Sequence, residues 1–259
     1  MSVLEVEDRA TVRHLILNRE EKRNALNGEL VEALGRAIEE AASDEGVRIL
    51  VLRGAGPMFS SGMDLNDLHG LSKEPGRLRD FRRPILAWWN LLEETPKPTI
   101  AQIHGACLGG ALELALACDF RVMAEEAVAG IMEARVGLLP DVGGCSRLPA
   151  VVGLGRAKEL IMTGRLIDGR EAHRIGLANR IAPAAELDAA TDGLADELLR
   201  CAPLAVGLAK RVLDGAAKPA LAVTLEQEVT AQELLAASAD FAEGTRALLD
   251  KREPEFAGR

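Results

Sequence analysis

The 259-residue sequence reads as an α/β core running to about residue 195, followed by a helical C-terminal region at 196–259. Three observations predict this. Strand-like and helix-like apolar patterns alternate from residue 3 to the turn at Pro183. Beyond Pro183 the pattern becomes largely helical. Hydrophobic residues make up 48% and charged residues 27%, an ordinary folded composition, while aromatics reach only 3%, so the core must be aliphatic.

In chain order, residues 3–7 and 11–17 predict two strands joined tightly at Asp8-Arg9. A polar loop leads to Asn24-Ala25-Leu26. Leu30, Leu34, Ile38 and Ala41 recur at helical spacing and predict an amphipathic helix over 28–43. Residues 47–53 follow as a buried strand, then a glycine-punctuated loop from Gly54 to Leu65. Residues 66–94 read as a charged, less regular segment leading into a helix around Ile85-Trp89. Strands are expected at 119–124 and 127–131, then a loop from Glu133 to Ser146, a helix over 146–163 and a helix start at Asp168-Gly169. A short strand near 178–180 precedes helices at 184–200, 203–215 and 221–252.

The most informative stretch is 97–119. Pro96 and Pro98 fit the start of a strand, which breaks at glycines and passes into helical spacing. Gly109 and Gly110 fall at the helix start, where the first N–H groups lack intrahelical acceptors and can hold an anionic oxygen. Glu113 then lies in the first turn among small and apolar neighbours. Glu133 comes 20 residues later and Asp141 follows at 28. A β-hairpin of that length would return Glu133 beside Glu113. Two carboxylates in one pocket split roles, one ionised as a base and one holding a proton to donate. Free N–H groups near Gly110 would steady a carbonyl oxygen that becomes an enolate.

Several function classes are disfavoured. The 31 basic and 40 acidic residues give a formal charge of −9, against a bulk electrostatic grip on nucleic acid or anionic membrane. No apolar run approaches the ~18 residues of a membrane span. The acidic N-terminus lacks a signal-peptide pattern, so a cytoplasmic location is expected. The glycine patterns fail GxGxxG, and P-loop, HExxH and GxSxG motifs are missing. Cys107, Cys118, Cys145 and Cys201 form no CxxC pair and read as reduced, buried thiols. His104 and His173 read as structural, with no metal-ligand spacing. Trp88 and Trp89 read as packing residues or as a pocket wall.

Five segments together resemble the crotonase (enoyl-CoA hydratase/isomerase) superfamily. These are Asn18-Arg19 through Leu26, Phe59 to Leu65, the stretch 97–119, Val136 to Gly144, and Glu243 to Phe256. The resemblance implies a spiral of β-β-α units whose C-terminal helices pack into homotrimers, usually paired as hexamers. It implies an acyl-CoA substrate, with CoA as the substrate's handle and no further cofactor or metal. By motif position the oxyanion-binding N–H groups belong to Met63 and Gly110. Glu113 would activate water and Glu133 would protonate the α-carbon in syn hydration of a 2-enoyl-CoA. Residues Arg23, Ala25, Ser61, Asp64, Leu65, Lys251 and Phe256 match positions that meet the substrate or its CoA, the last two often from a neighbouring subunit. For Arg23 a solvated surface role is an equal alternative.

Asp141 departs from the hydratase pattern, which carries a small residue there. It matches a catalytic aspartate of dienoyl-CoA isomerases, or it is a turn residue after Pro140. Isomerisation through Glu133 and Asp141 is therefore the alternative to hydration. A non-catalytic CoA-binding protein, and acyl-CoA hydrolysis or decarboxylation, are the remaining rivals.

Overall fold

The computed structural model describes residues 2–73 and 77–258. Strands β1 (Leu4–Arg9) and β2 (Val12–Leu17) pair antiparallel. Helix α1 (Gly28–Ser43) is capped by Asn27, whose side chain accepts from Leu30 N. It leads to β3 (Ile49–Gly54), helices α2 (Leu65–Lys73) and α3 (Leu78–Glu94), and strands β4 (Thr99–Ile103) and β5 (Ala106–Leu108). Then come α4 (Gly110–Ala117), β6 (Phe120–Ala124), β7 (Val128–Gly130), α5 (Gly144–Val152) and α6 (Leu154–Thr163). The short β8 (Ile167–Asp168), α7 (Gly169–Arg174) and β9 (Arg180–Ala182) close the core. Four helices follow: α8 (Leu187–Leu199), α9 (Pro203–Ala217), α10 (Leu221–Ala236) and α11 (Ala239–Leu249).

The larger sheet has the order β1-β2-β3-β4-β6-β9, parallel from β2 onward, and the smaller one β5-β7-β8. Successive turns of chain thus lay one strand in each sheet: β4 then β5, β6 then β7. Strands of the parallel sheet are covered on both faces and carry continuous aliphatic runs, such as Ile49 to Leu52 in β3, all buried. Among the described residues no helix is long and apolar enough to cross a membrane.

Four expectations are corrected. The strands at 119–124 and 127–131 are not a hairpin; β6 and β7 belong to different sheets. The single helix over 146–163 is two, starting at Gly144 and interrupted by Gly153, whose φ of 79° leaves the helical region. The helix over 221–252 breaks at Ala237-Ser238, where the Ser238 hydroxyl accepts from Phe241 N at 3.1 Å and starts α11. The segment 66–94 is mostly helical, and its residues 74–76 lie outside the described residues. Of the cysteines, Cys107 and Cys118 are buried as expected, but Cys201 is exposed.

Trp89 is buried in the core, and Trp88 packs on α1 at Gly35, where a Cβ would collide with its ring. Trp88 Nε1 also donates to Glu39 at 2.9 Å, so both tryptophans are packing residues. His104 meets the Gly56 carbonyl at 2.9 Å and His173 the Ala178 carbonyl at 3.1 Å. Asp119 fixes the turn after α4: it accepts from Thr99 N at 2.7 Å and pairs with Lys210 at 2.8 Å.

Candidate active site

The site grows from the way the loop 58–64 zips along β5. Ser60 N donates to Ala106 O and Leu108 N donates to Ser60 O, while Leu26 N donates to Gly62 O. Gly62, at φ 94°, lies so close that a Cβ would stand 2.5 Å from Leu108 O. This brings Met63 close to Gly110: a Cβ on Gly110 would sit 3.8 Å from Met63 N. As the first residue of α4, Gly110 has no intrahelical acceptor for its N–H. The two amides that the resemblance assigns to the thioester oxygen, Met63 and Gly110, are thus near neighbours.

Glu113 is 2% exposed. Its Oε1 accepts from Val142 N at 3.0 Å and from Gly144 N at 2.8 Å, so the chain after Pro140 grips one oxygen of this carboxylate. Glu133 arrives by another route. β7 runs parallel to β5, and Gly109 N donates to Gly130 O at 2.8 Å, so the end of β7 delivers Glu133 beside the glycine turn. A Cβ on Gly109 would stand 2.8 Å from Glu133 Oε1. Glu133 lines the same cavity, and its Oε2, like Asp141 Oδ2, is buried without a hydrogen-bond partner. The convergence of the two acids holds, although no hairpin makes it.

Asp141 also lines this cavity. Its Oδ2 lies 3.3 Å from Arg82 Nε, a buried guanidinium on α3. Burial, with Glu133 and Asp141 nearby, holds Glu113 well above the usual carboxylate range. Burial pushes Glu133 up to about 7, with Asp141 adding to the rise. Asp141 too is pushed up to about 7 by burial, against the opposing pull of Arg82. Three acids in one poorly solvated pocket cannot all ionise readily near neutrality.

The rest of the cavity is mostly apolar, with Ser61, Arg82 and Gln232 as its other polar members. Leu78, Phe81 and Ile85 of α3 face it from one side, and Ala236 and Phe241 from the C-terminal helices. Of the expected substrate contacts, Ser61 and Leu65 line it. Asp64 is instead buried against Arg19 at 3.3 Å and caps the start of α2 by accepting from Asn66 N at 3.0 Å. Ala25 is buried, and its carbonyl accepts from Arg19. Arg23 holds a left-handed backbone (φ 54°) with an exposed side chain, and its carbonyl accepts from Ser61 N at 3.0 Å. Lys251 and Phe256 are exposed on the C-terminal tail, away from this cavity.

Sequence reasoning missed Arg82, Glu228 and Gln232. Glu228 Oε2 accepts from Gly143 N at 2.9 Å, and its Oε1 accepts from Ser146 N and Oγ at 2.7 and 2.6 Å. Gln232 Oε1 accepts from Leu139 N at 3.0 Å. Their i,i+4 spacing on α10 was visible as a polar pair within an otherwise apolar face, though nothing in the sequence told which loop it grips.

Two glycine-framed amides above paired acids in an apolar cleft suit thioester enolate chemistry. The comparisons agree with that geometry. The enoyl-CoA hydratase/isomerase family model matches residues 7–259, and the chain belongs to that family. It is 37% identical over 260 residues to the 2,3-dehydroadipyl-CoA hydratase of Escherichia coli (strain K12), covering 100% of both chains. It is 40% identical to the human enoyl-CoA hydratase domain-containing protein 2, mitochondrial, over 96% of this chain and 86% of the relative. Its fold matches the crystal structure of an enoyl-CoA hydratase from Mycobacterium avium subsp. paratuberculosis K-10 with a TM-score of 0.87, 28% identity and 99% of each chain covered. The crotonase fold expected from the sequence is the fold observed.

Proposed function

We propose that the protein is an enoyl-CoA hydratase that adds water syn across the 2,3-double bond of a 2-enoyl-CoA. The observation that carries this reading is the unequal support of the two acids at the oxyanion turn. Two backbone N–H groups hold one oxygen of Glu113 and oppose the burial that raises it, so this oxygen is fixed to accept a proton from water, whereas Glu133 keeps a buried oxygen with no partner and is free to donate. Glu113 takes a proton from water as the oxygen attacks C3, and Glu133 gives its proton to C2. The Met63 and Gly110 amides hold the thioester oxygen while it carries enolate charge. The CoA thioester is the substrate's own handle, and this reaction needs no other cofactor.

The experiment is turnover of a 2-enoyl-CoA by Glu113→Gln and Glu133→Gln. Each is expected to lose about 10²–10⁴-fold in kcat. A loss below ~10-fold in both would sink the role assignment.

A second reading is double-bond migration, with Asp141 and Glu133 taking a proton from one end of the migrating double-bond system and returning one at the other. It is favoured by one observation, that Asp141 lines the same cavity. The Arg82 ion pair weighs against it by supporting the Asp141 anion rather than a mobile proton.

We also propose a homotrimer or homohexamer, in which the region from 196 onward supplies the pocket's outer wall and the assembly surface. On α9, Leu204, Leu208 and Val212 recur at i,i+4 spacing and are 74%, 55% and 71% exposed. Val223 and Leu234 of α10 are exposed as well, whereas Leu225 and Val229 are buried within the chain's own fold.

A further inference from the structure

Arg82 is a buried cation at the site for which hydration has no stated use. It is 4% exposed, and its Nη2 donates to the Asp141 carbonyl and reaches Leu225 O of α10 at 3.5 Å. Its Nε stands 3.3 Å from Asp141 Oδ2 without hydrogen-bond alignment, so the side-chain contact acts through charge. Around Asp141 the charged and titratable groups are Arg82 on α3, Glu113 on α4, Glu133 after β7, Cys145 on α5 and Glu228 on α10. Among the described residues, Asp141 is the only one of Glu113, Glu133 and Asp141 with an ion pair.

Close carboxylates share their protons, and a shared proton settles on the member whose anion has least support. Glu133 Oε2 and Asp141 Oδ2 are both buried without a hydrogen-bond partner, but of the two only Asp141 has a cation beside it, Arg82 Nε at 3.3 Å, while two amides hold Glu113. We propose that Arg82 is a positioning residue for this cluster: its charge beside Asp141 favours the Asp141 anion over that of Glu133, which biases the shared proton toward Glu133, where the substrate's α-carbon needs it. The inference rests on the hydration reading for its use, but not for its measurement. Without Arg82, Asp141 would take the proton, and Glu133 would lose the neighbouring negative charge that helps it stay protonated.

The test is a titration of Glu133 in the intact protein from the infrared band of its protonated carboxyl, with Glu133→Gln as the blank. Arg82→Met and Asp141→Asn are each expected to lower the Glu133 midpoint by about one pH unit. Arg82→Lys should keep the wild-type midpoint, and Arg82→Met/Asp141→Asn should match Asp141→Asn. The alkaline limb of hydration should move with the midpoint, which loss of packing alone would not produce. An unmoved or raised midpoint in Arg82→Met overturns the inference.

Should Arg82→Met not fold, Asp141→Asn and the double variant decide, since the double variant buries neither charge unpaired. Equal midpoints below wild type support the inference; unequal ones overturn it, because Arg82 would then act on Glu133 directly. If the midpoints shift as stated but no 2-enoyl-CoA is hydrated, the functional reading fails and the inference stands. Hydration with unmoved midpoints overturns the inference and leaves the functional reading standing.

Discussion

Glu113 and Glu133 are the same residue type in the same cavity, and their surroundings make them different acids. Burial raises both, but amides from Val142 and Gly144 hold one oxygen of Glu113 against that rise, while burial pushes Glu133, with one oxygen unpartnered, up to about 7. The raised values also bear on stability. Glu133 and Asp141 rise from 4.5 and 3.8 to about 7, so the folded state binds more protons than the unfolded state between those limits. Their contribution is fully present below the unfolded values and is lost as pH rises through about 7. Scanning calorimetry should therefore find that Glu133→Gln raises the melting temperature more at about pH 8 than at about pH 4. An equal gain at both would show that Glu133 does not titrate from a raised value. Gly109 serves this acid by lacking a side chain, since a Cβ would stand 2.8 Å from Glu133 Oε1 and the backbone sits at φ 53°. Gly109→Ala is expected to cost kcat about 10²-fold by displacing the proton donor. Circular dichroism should remain native. Both glutamates were legible in the sequence through the glycine turn and the family segments, but Arg82 was not. An arginine inside a charged run gives no local sign that it will be buried against an aspartate 59 residues away.

The chain from Leu139 to Ser146 carries Asp141 and the two amides that orient Glu113, and it is gripped from outside. Glu228 and Gln232, one turn apart on α10, accept from three of its backbone N–H groups. Arg147, fully buried, donates to Val142 O at 3.0 Å and pairs with Glu93 of α3 at 2.7 Å. Glu228→Ala would leave the Gly143 amide buried, and the Ser146 amide half-buried, without acceptors. It is expected to cost about 2–4 kcal/mol in urea unfolding and to lower kcat through misplacement of Glu113. Native stability in this variant would mean the loop holds itself. This element also marks where sequence reading stopped. The strand, glycine turn and helix at 98–118 were legible because proline, glycine and apolar period all change within a few residues. The helices at 65–94 were obscured by charged residues and by Pro84 inside α3, and Gly153 hid a helix break within an apolar run. The hairpin was misjudged for a different reason: sheet membership is a long-range property, and adjacent strands give no local sign of belonging to separate layers.

At the level of the assembled protein, the C-terminal helices face two ways. Ala236 and Phe241 close the apolar cavity, while Leu204, Leu208 and Val212 of α9 point outward. Leu208→Glu is expected to shift the sedimentation coefficient from that of an oligomer toward that of a monomer, with the Glu113–Glu133 site left intact. An unchanged coefficient would move the assembly surface elsewhere. That the tail beyond 183 is helical was legible in its apolar period; which leucines turn inward depends on packing against α3 and α5, which no local pattern carries.

The decisive assay gives purified protein short and medium 2-enoyl-CoAs and a 3,5-dienoyl-CoA in ¹⁸O-labelled water. Loss of the enone absorbance with one labelled oxygen in the product, abolished in Glu133→Gln, is the expected result. A growing conjugated-dienone band with no label, lost in Asp141→Asn, would instead make Asp141 the proton carrier and the protein an isomerase.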